Sequence, residues 1–131
     1  FRHNAFWPIM EALYGISADL PYHQRLVDLQ HQRIALWDVM QTCNRPSSLD
    51  ADIVEASIIP NDFSIFFASH PAISRIGFNG IKAANTYKKY VWPTLNKRHQ
   101  QIHSIRLPST SPAHATLRLE KKLDAWRAIV Y

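Results

Sequence analysis

The stretch ISRIGFNGIKAANTYKKYV, residues Ile73 to Val91, decides the fold. Its first six residues, Ile73 to Phe78, read as a strand. Asn79-Gly80 then turns the chain into a helix in which Ala84, Tyr87 and Val91 share a face, and Trp92-Pro93 ends it. A basic polar loop, Asn96 to Gln101, leads to an apolar run, Ile102 to Leu107. Strand, helix and strand in that order require a crossover connection and predict two parallel strands.

The same alternation extends outward. Upstream, Ile34 to Met40 (IALWDVM) is nearly continuous in apolar residues, broken by Asp38, and predicts a strand buried on both faces. Asn44 to Ile53 is polar and turn-rich, and predicts a loop with one helical turn at Ser48. Asn61-Asp62 cap a short helix carrying Phe63, Phe66 and Phe67. Near the start, Phe6, Ile9, Met10 and Leu13 fall at helical spacing, with Asn4 as N-cap and Gly15 as the stop. Pro21 opens a second helix with Leu26 and Leu29 facing inward. Downstream, Leu119, Leu123, Trp126 and Val130 form the inner stripe of a last helix. The fold class is therefore α/β: a three-layer α/β/α sandwich with a small, mainly parallel four-stranded sheet. Three strands are visible, and the first is expected to precede Phe1.

The chain has 131 residues, which predicts one domain over residues 1–131. At 47% hydrophobic it has enough apolar residues for a core and too many for a disordered chain. Three glycines against eight prolines point to stiffened loops. A lone cysteine, Cys43, excludes an internal disulfide, an iron–sulfur cluster and a cysteine-based zinc site, and suits a reducing cytoplasm. No apolar run is long enough to span a bilayer. A net charge of +5 leans towards a polyanionic partner. The seven histidines show no metal spacing, and no metal or other cofactor is expected. Lys82, Lys88, Lys89, Lys97, Arg98 and Arg106 gather late in the chain. They read as a solvated face with the option of facing phosphates, whereas Lys121 and Lys122 read as plainly solvated.

In open α/β sheets ligands bind beyond the carboxyl ends of the strands. That rule collects the helix entrance at Asn4, the end of the Asp38 strand, the Asn79-Gly80 turn and the loop Leu107-Pro108-Ser109-Thr110-Ser111-Pro112. Each has an ordinary structural reading. Asn4 suits an N-cap, Asp38 a buried residue bonded to backbone amides, Phe78 and Asn79 a strand end and a cap, and the loop a helix entrance.

Five motifs occur in order along the chain: HNAFWPIM (His3 to Met10), LWDVMQTC (Leu36 to Cys43), IPNDF (Ile59 to Phe63), FNG (Phe78 to Gly80) before a helix with KAA, and LPSTSPA (Leu107 to Ala113). Together they resemble the hypoxanthine-DNA glycosylase branch of the uracil-DNA glycosylase superfamily over most of the chain. LPSTSPA combined with N-x-F-W carries the most specificity. The resemblance implies hydrolysis of the N-glycosidic bond of a flipped deaminated base in double-stranded DNA, chiefly deoxyinosine, by a cytoplasmic, nucleoid-associated monomer. It further implies Asn4 as the catalytic residue holding water, and Asp38 at a position that reads the base edge. Phe78 and Asn79 would line the base pocket. Pro108, Ser109, Thr110, Ser111, Pro112 and His114 would engage DNA. The family's Gly/Pro-rich loop would lie upstream of Phe1. No lysine is placed for a Schiff base, so strand cleavage is not expected. Two alternatives stay open: a non-catalytic nucleic-acid-binding module of the same fold, and a glycosylase specific for uracil or mismatches.

Overall fold

A computed structural model describes residues 4–44, 54–112 and 118–130. The chain divides into two compact units, Phe1–Trp37 with Pro108–Tyr131, and Asp38–Leu107.

The second unit contains the predicted strand–helix–strand element. β3 (Arg75–Asn79) pairs in parallel with β4 (His103–Leu107), in a register running from Arg75 opposite His103 to Asn79 opposite Leu107. The strand ends are locked together, since the Gly80 N–H donates to the Leu107 carbonyl at 3.0 Å. Gly80 makes the turn at φ 98°, which a side chain would strain. α4 (Ile81–Thr86) follows, widens into a π-helical turn over Tyr87–Val91, and tightens to a 3-10 turn over Trp92–Thr94. In the wide turn the Trp92 N–H reaches back five residues to the Tyr87 carbonyl. Pro93, next in line, has no N–H to continue an α-helical ladder. The predicted loop after it holds a one-turn helix, α5 (Lys97–Gln100), because the Asn96 side chain accepts the His99 N–H at 2.8 Å.

α3 (Phe63–Ser69) is capped as expected by Asp62, whose side chain accepts the Ile65 N–H. Its aromatic residues meet the crossover helix in one core of Phe63, Phe67, Phe78, Tyr87, Val91 and Leu95. Rings there meet edge-on or tilted, with Phe78 and Tyr87 centroids 4.9 Å apart. Burial pushes the Tyr87 phenol up to about 12.

A second pair of strands was only partly foreseen. β1 (Met40–Asn44) and β2 (Val54–Pro60) run antiparallel with irregular register. The described strands therefore form one parallel and one antiparallel pair. The predicted buried strand Ile34 to Met40 is corrected, because only Met40 belongs to a strand. Leu36 and Trp37 are 50% and 42% exposed. The cause lies in how the preceding helix ends. Arg33 takes a left-handed φ of 62°. Its N–H donates to the Gln30 carbonyl and the Ile34 N–H to the Leu29 carbonyl, closing the helix with the run's first residue. Further on, the Asn61 side chain donates to the Asp38 carbonyl at 2.7 Å, and the Asn61 N–H to the Val39 carbonyl at 2.9 Å. The carbonyls before Met40 thus serve a loop. The turn expected at Ser48 lies outside the described residues.

In the first unit, α1 (Phe6–Tyr14) ends at Gly15 as predicted, with φ 71°, and buries Phe6, Ile9 and Met10. α2 (Tyr22–His31) starts after Pro21 and buries Leu29. α6 (Leu119–Trp126) and a short 3-10 turn, Arg127–Ile129, complete the unit. The predicted inner stripe of the last helix holds at Trp126 and is corrected at its two ends. Leu119 and Val130 are exposed, whereas Lys122 and Trp126 are buried at 4% each. Phe6 meets Trp126 edge-on at 6.0 Å, joining α1 to α6.

Candidate active site

The first unit brings two of the predicted places together. The Asn4 Oδ1 accepts the Phe6 N–H at 2.9 Å, so Asn4 braces the entrance of α1 from the residue before its N-cap position, Ala5. Next to it, the Ala5 N–H donates to the Thr110 carbonyl, also at 2.9 Å. One backbone bond therefore ties the residue beside Asn4 to the middle of the Pro108–Pro112 loop. Phe6 and Trp7 anchor the helix entrance from below, their rings edge-to-face at 5.0 Å. Trp7 in turn carries the Arg25 guanidinium over its face at 4.6 Å.

The loop is held from several sides. Thr110 is buried at 1% exposure. The Ser109 Oγ accepts the Ser111 N–H at 3.1 Å, a local bond that shapes the turn. The Trp126 indole N–H donates to the Pro108 carbonyl at 2.9 Å. The Lys122 ammonium donates to the Ser111 carbonyl at 3.4 Å. Pro108, Ser109 and Ser111 are half-buried and Pro112 is exposed, which leaves the tip of the loop at the surface. Prolines at both ends and bonds to both flanks make this loop rigid.

Lys122 is the residue that sequence reasoning missed. It reads as a solvated lysine beside Lys121, yet it is buried beneath the loop. Four residues before Trp126, it shares the inner face of α6, and that spacing was the available signal. An ammonium is costly to bury without an anion. Among the described residues its hydrogen-bond partner is the Ser111 carbonyl, at 3.4 Å, so its head lies directly under the loop.

The second unit holds the other predicted residues. Asp38 is exposed and precedes β1, so the expectation that it sits near a strand's carboxyl end is corrected. The reason is the helix closure and Asn61 contacts that keep Ile34 to Asp38 out of the sheet. Phe78 is buried in the aromatic core, next to Tyr87. Asn79 is exposed at the carboxyl end of β3, where the turn at Gly80 leaves the sheet. His114 lies outside the described residues. His99 ends up on α5 and His103 opens β4. No group of three or more His, Cys, Asp or Glu side chains among the described residues is arranged to hold a metal ion. No helix among them is long and apolar enough to cross a membrane.

This arrangement has relatives. No family model matches the chain. A hypoxanthine DNA glycosylase from Methanosarcina acetivorans is 38% identical over 127 residues, covering 96% of this chain and 74% of the relative. A second protein of that name, from Methanosarcina barkeri, is 32% identical over 81 residues, covering 61% of this chain and 50% of the relative. The fold is similar to the solution NMR structure of a candidate uracil DNA glycosylase from Methanosarcina acetivorans. That comparison gives a TM-score of 0.76 and 31% identity, and covers 98% of this chain and 74% of the other. With the α/β class, the Asn4 helix entrance and the braced PSTSP loop in place, this degree of identity is decisive: the chain belongs to the hypoxanthine DNA glycosylase family.

Proposed function

We propose that this chain removes hypoxanthine from deoxyinosine in double-stranded DNA, hydrolysing the N-glycosidic bond and leaving an abasic site. The observation that carries this reading is the likeness, along nearly the whole chain, to a protein named for that activity.

The bond to be broken is hidden in the base stack, so the nucleotide must first swing out of the duplex. In this reading the Pro108–Pro112 loop meets the opened strand. The half-buried Ser109 and Ser111 hydroxyls donate to phosphate oxygens while buried Thr110 fixes the loop behind them, and a stiff loop loses little freedom in doing so. Lys122 lies below. A phosphate at the loop would meet its buried ammonium.

Asn4 holds the attacking water. A side-chain carbonyl oxygen has two lone pairs. One takes the Phe6 N–H and fixes the amide; the other accepts a hydrogen from water. The water oxygen bonds to C1′ as the C1′–N9 bond breaks. The electron pair leaves on the base, and the water's proton passes to the departing base or to solvent. An amide is a poor general base, so bond breaking runs ahead of attack and the sugar becomes oxocarbenium-like. Hypoxanthine leaves as an anion more readily than adenine does. The roles proposed for Asp38, Asn79 and Phe78 are in recognising the base, Asp38 by accepting N1–H. Residues 1–131 act as one monofunctional glycosylase domain, as a monomer in the nucleoid of the cytoplasm, without metal or other cofactor.

The test is incubation of the protein with a duplex carrying one deoxyinosine, followed by alkali. Alkali-dependent cleavage at that position is expected. Its absence at enzyme excess, with binding retained, would leave a non-catalytic module.

A further inference from the structure

We infer that the second unit carries another binding site, for the terminal phosphate of a nucleotide, at the amino ends of β3 and β4. A hollow of about 330 Å³ opens there, between the end of α3, the approach to β3, and α5 with the start of β4. Asn79 and Leu107 lie at the opposite ends of the same two strands. Four residue steps separate the two ends, about 13 Å at roughly 3.3 Å per residue.

The lining sets the ligand's charge. Arg98 gives one permanent cation, and His70, His99 and His103 give three imidazoles. No carboxylate is among the described residues that line the hollow. The His70 Nδ1 lies 2.9 Å from the Phe66 carbonyl, an acceptor only, so that nitrogen donates and Nε2 is left for a ligand. The ring is fixed by stacking on Phe66 at 4.6 Å. The His99 ring rests on Phe67 at 5.5 Å, and its Nδ1 is buried with no hydrogen-bond partner among the described residues.

The lining also sets the ligand's shape. Phe67, Ile73 and Ile102 make an apolar wall. A bare inorganic anion would leave that wall wet. The volume lies at the lower end of small-molecule sites, roughly 300–1,000 Å³. A phosphomonoester with a flat ring attached satisfies both halves: oxygens toward Arg98 and the histidines, base against the wall. Two sources offer this chemistry, a free mononucleotide and a 5′-phosphorylated strand end. A phosphodiester inside a duplex carries sugar on both sides and does not enter a hollow end-on.

The experiment is an NMR titration of the full chain with adenosine 5′-monophosphate, adenosine and inorganic phosphate. The monophosphate is expected to shift amides of residues 67–74 and 98–103 saturably, and adenosine to bind at least about tenfold more weakly. Arg98→Gln, at an exposed position, is expected to weaken the monophosphate about tenfold while deoxyinosine excision stays within about twofold of the parent. Competition by a 5′-phosphorylated tetranucleotide would assign strand ends, and failure to compete would assign free nucleotides; either upholds a phosphomonoester site. No saturable shift by about 10 mM, equal binding of adenosine, or binding undiminished in Arg98→Gln would each overturn it.

Discussion

Asn4 carries two separable jobs, and replacing it by two different residues tells them apart. At the entrance of α1 it accepts the Phe6 N–H at 2.9 Å. Alanine removes that acceptor and strands one helix N–H, at a cost of about 1 kcal/mol. For a chain of 131 residues that lowers the melting temperature by about 3–6 °C, so the protein stays folded at 25 °C. Serine is as good a cap as asparagine, so Asn4→Ser should melt within about 1–2 °C of the parent. Its hydroxyl, shorter than the amide, cannot hold the cap and a water together. Losing one positioned polar group at a reacting centre costs about 10²–10³ in rate. Both variants should therefore be slowed about 100-fold or more, although only alanine is destabilised. The assay is single-turnover excision from a labelled deoxyinosine duplex at enzyme excess, with melting followed by circular dichroism. A serine variant that recovers both stability and rate would show that Asn4 acts only as a cap. An alanine variant within about threefold of the parent rate would remove Asn4 from the chemistry altogether.

Three further outcomes follow from the structure. Lys122→Met replaces a buried ammonium by an apolar chain of similar length, so stability should hold or rise, while DNA binding weakens and its salt slope becomes shallower by about one unit; an unchanged slope would take Lys122 away from phosphate. Arg33 sits at φ 62°, a conformation costing a non-glycine residue about 1–2 kcal/mol. Arg33→Gly, after the glycine's own unfolded-state entropy, should stabilise the protein by about 0.5–1 kcal/mol in denaturant melts without altering excision. Because Tyr87 is raised from 10.0 to about 12 by burial, the folded state keeps a proton that the unfolded state gives up above pH 10. Stability from this group is whole below pH 10 and is lost as pH rises towards 12; Tyr87→Phe should abolish that part of the loss, read from melts between pH 9 and 12.

What the sequence disclosed follows from the range of the forces involved. β3, the Asn79-Gly80 turn and β4 were legible because each is encoded locally, by an apolar run or a turn pair. The Asn4 hold on the entrance of α1, the Gly15 stop and the Asp62 cap were legible for the same reason. Ile34 to Met40 was misread because its composition suits a buried strand. Its backbone is instead committed to closing α2 and to Asn61, 23 residues from Asp38. β2 was not foreseen, although Val54, Ala56 and Ile58 alternate with Glu55 and Ser57 as a half-buried strand would. Of the site, the residue types could be read and their bracing could not. The bond from Ala5 to Thr110, the indole of Trp126 on Pro108, and the burial of Lys122 join residues that are distant in the chain. Only helical spacing hinted at the last of these.

The central claim is hydrolysis of deoxyinosine's glycosidic bond by water held at Asn4. Mass spectrometry of a single-turnover reaction in oxygen-18 water measures it most directly. The account predicts one free hypoxanthine per abasic site, one heavy oxygen at C1′ of the sugar, an intact strand before alkali, and loss of all product signals together in Asn4→Ala. An intact deoxyinosine duplex at enzyme excess, or hypoxanthine released equally well by Asn4→Ala, would contradict it.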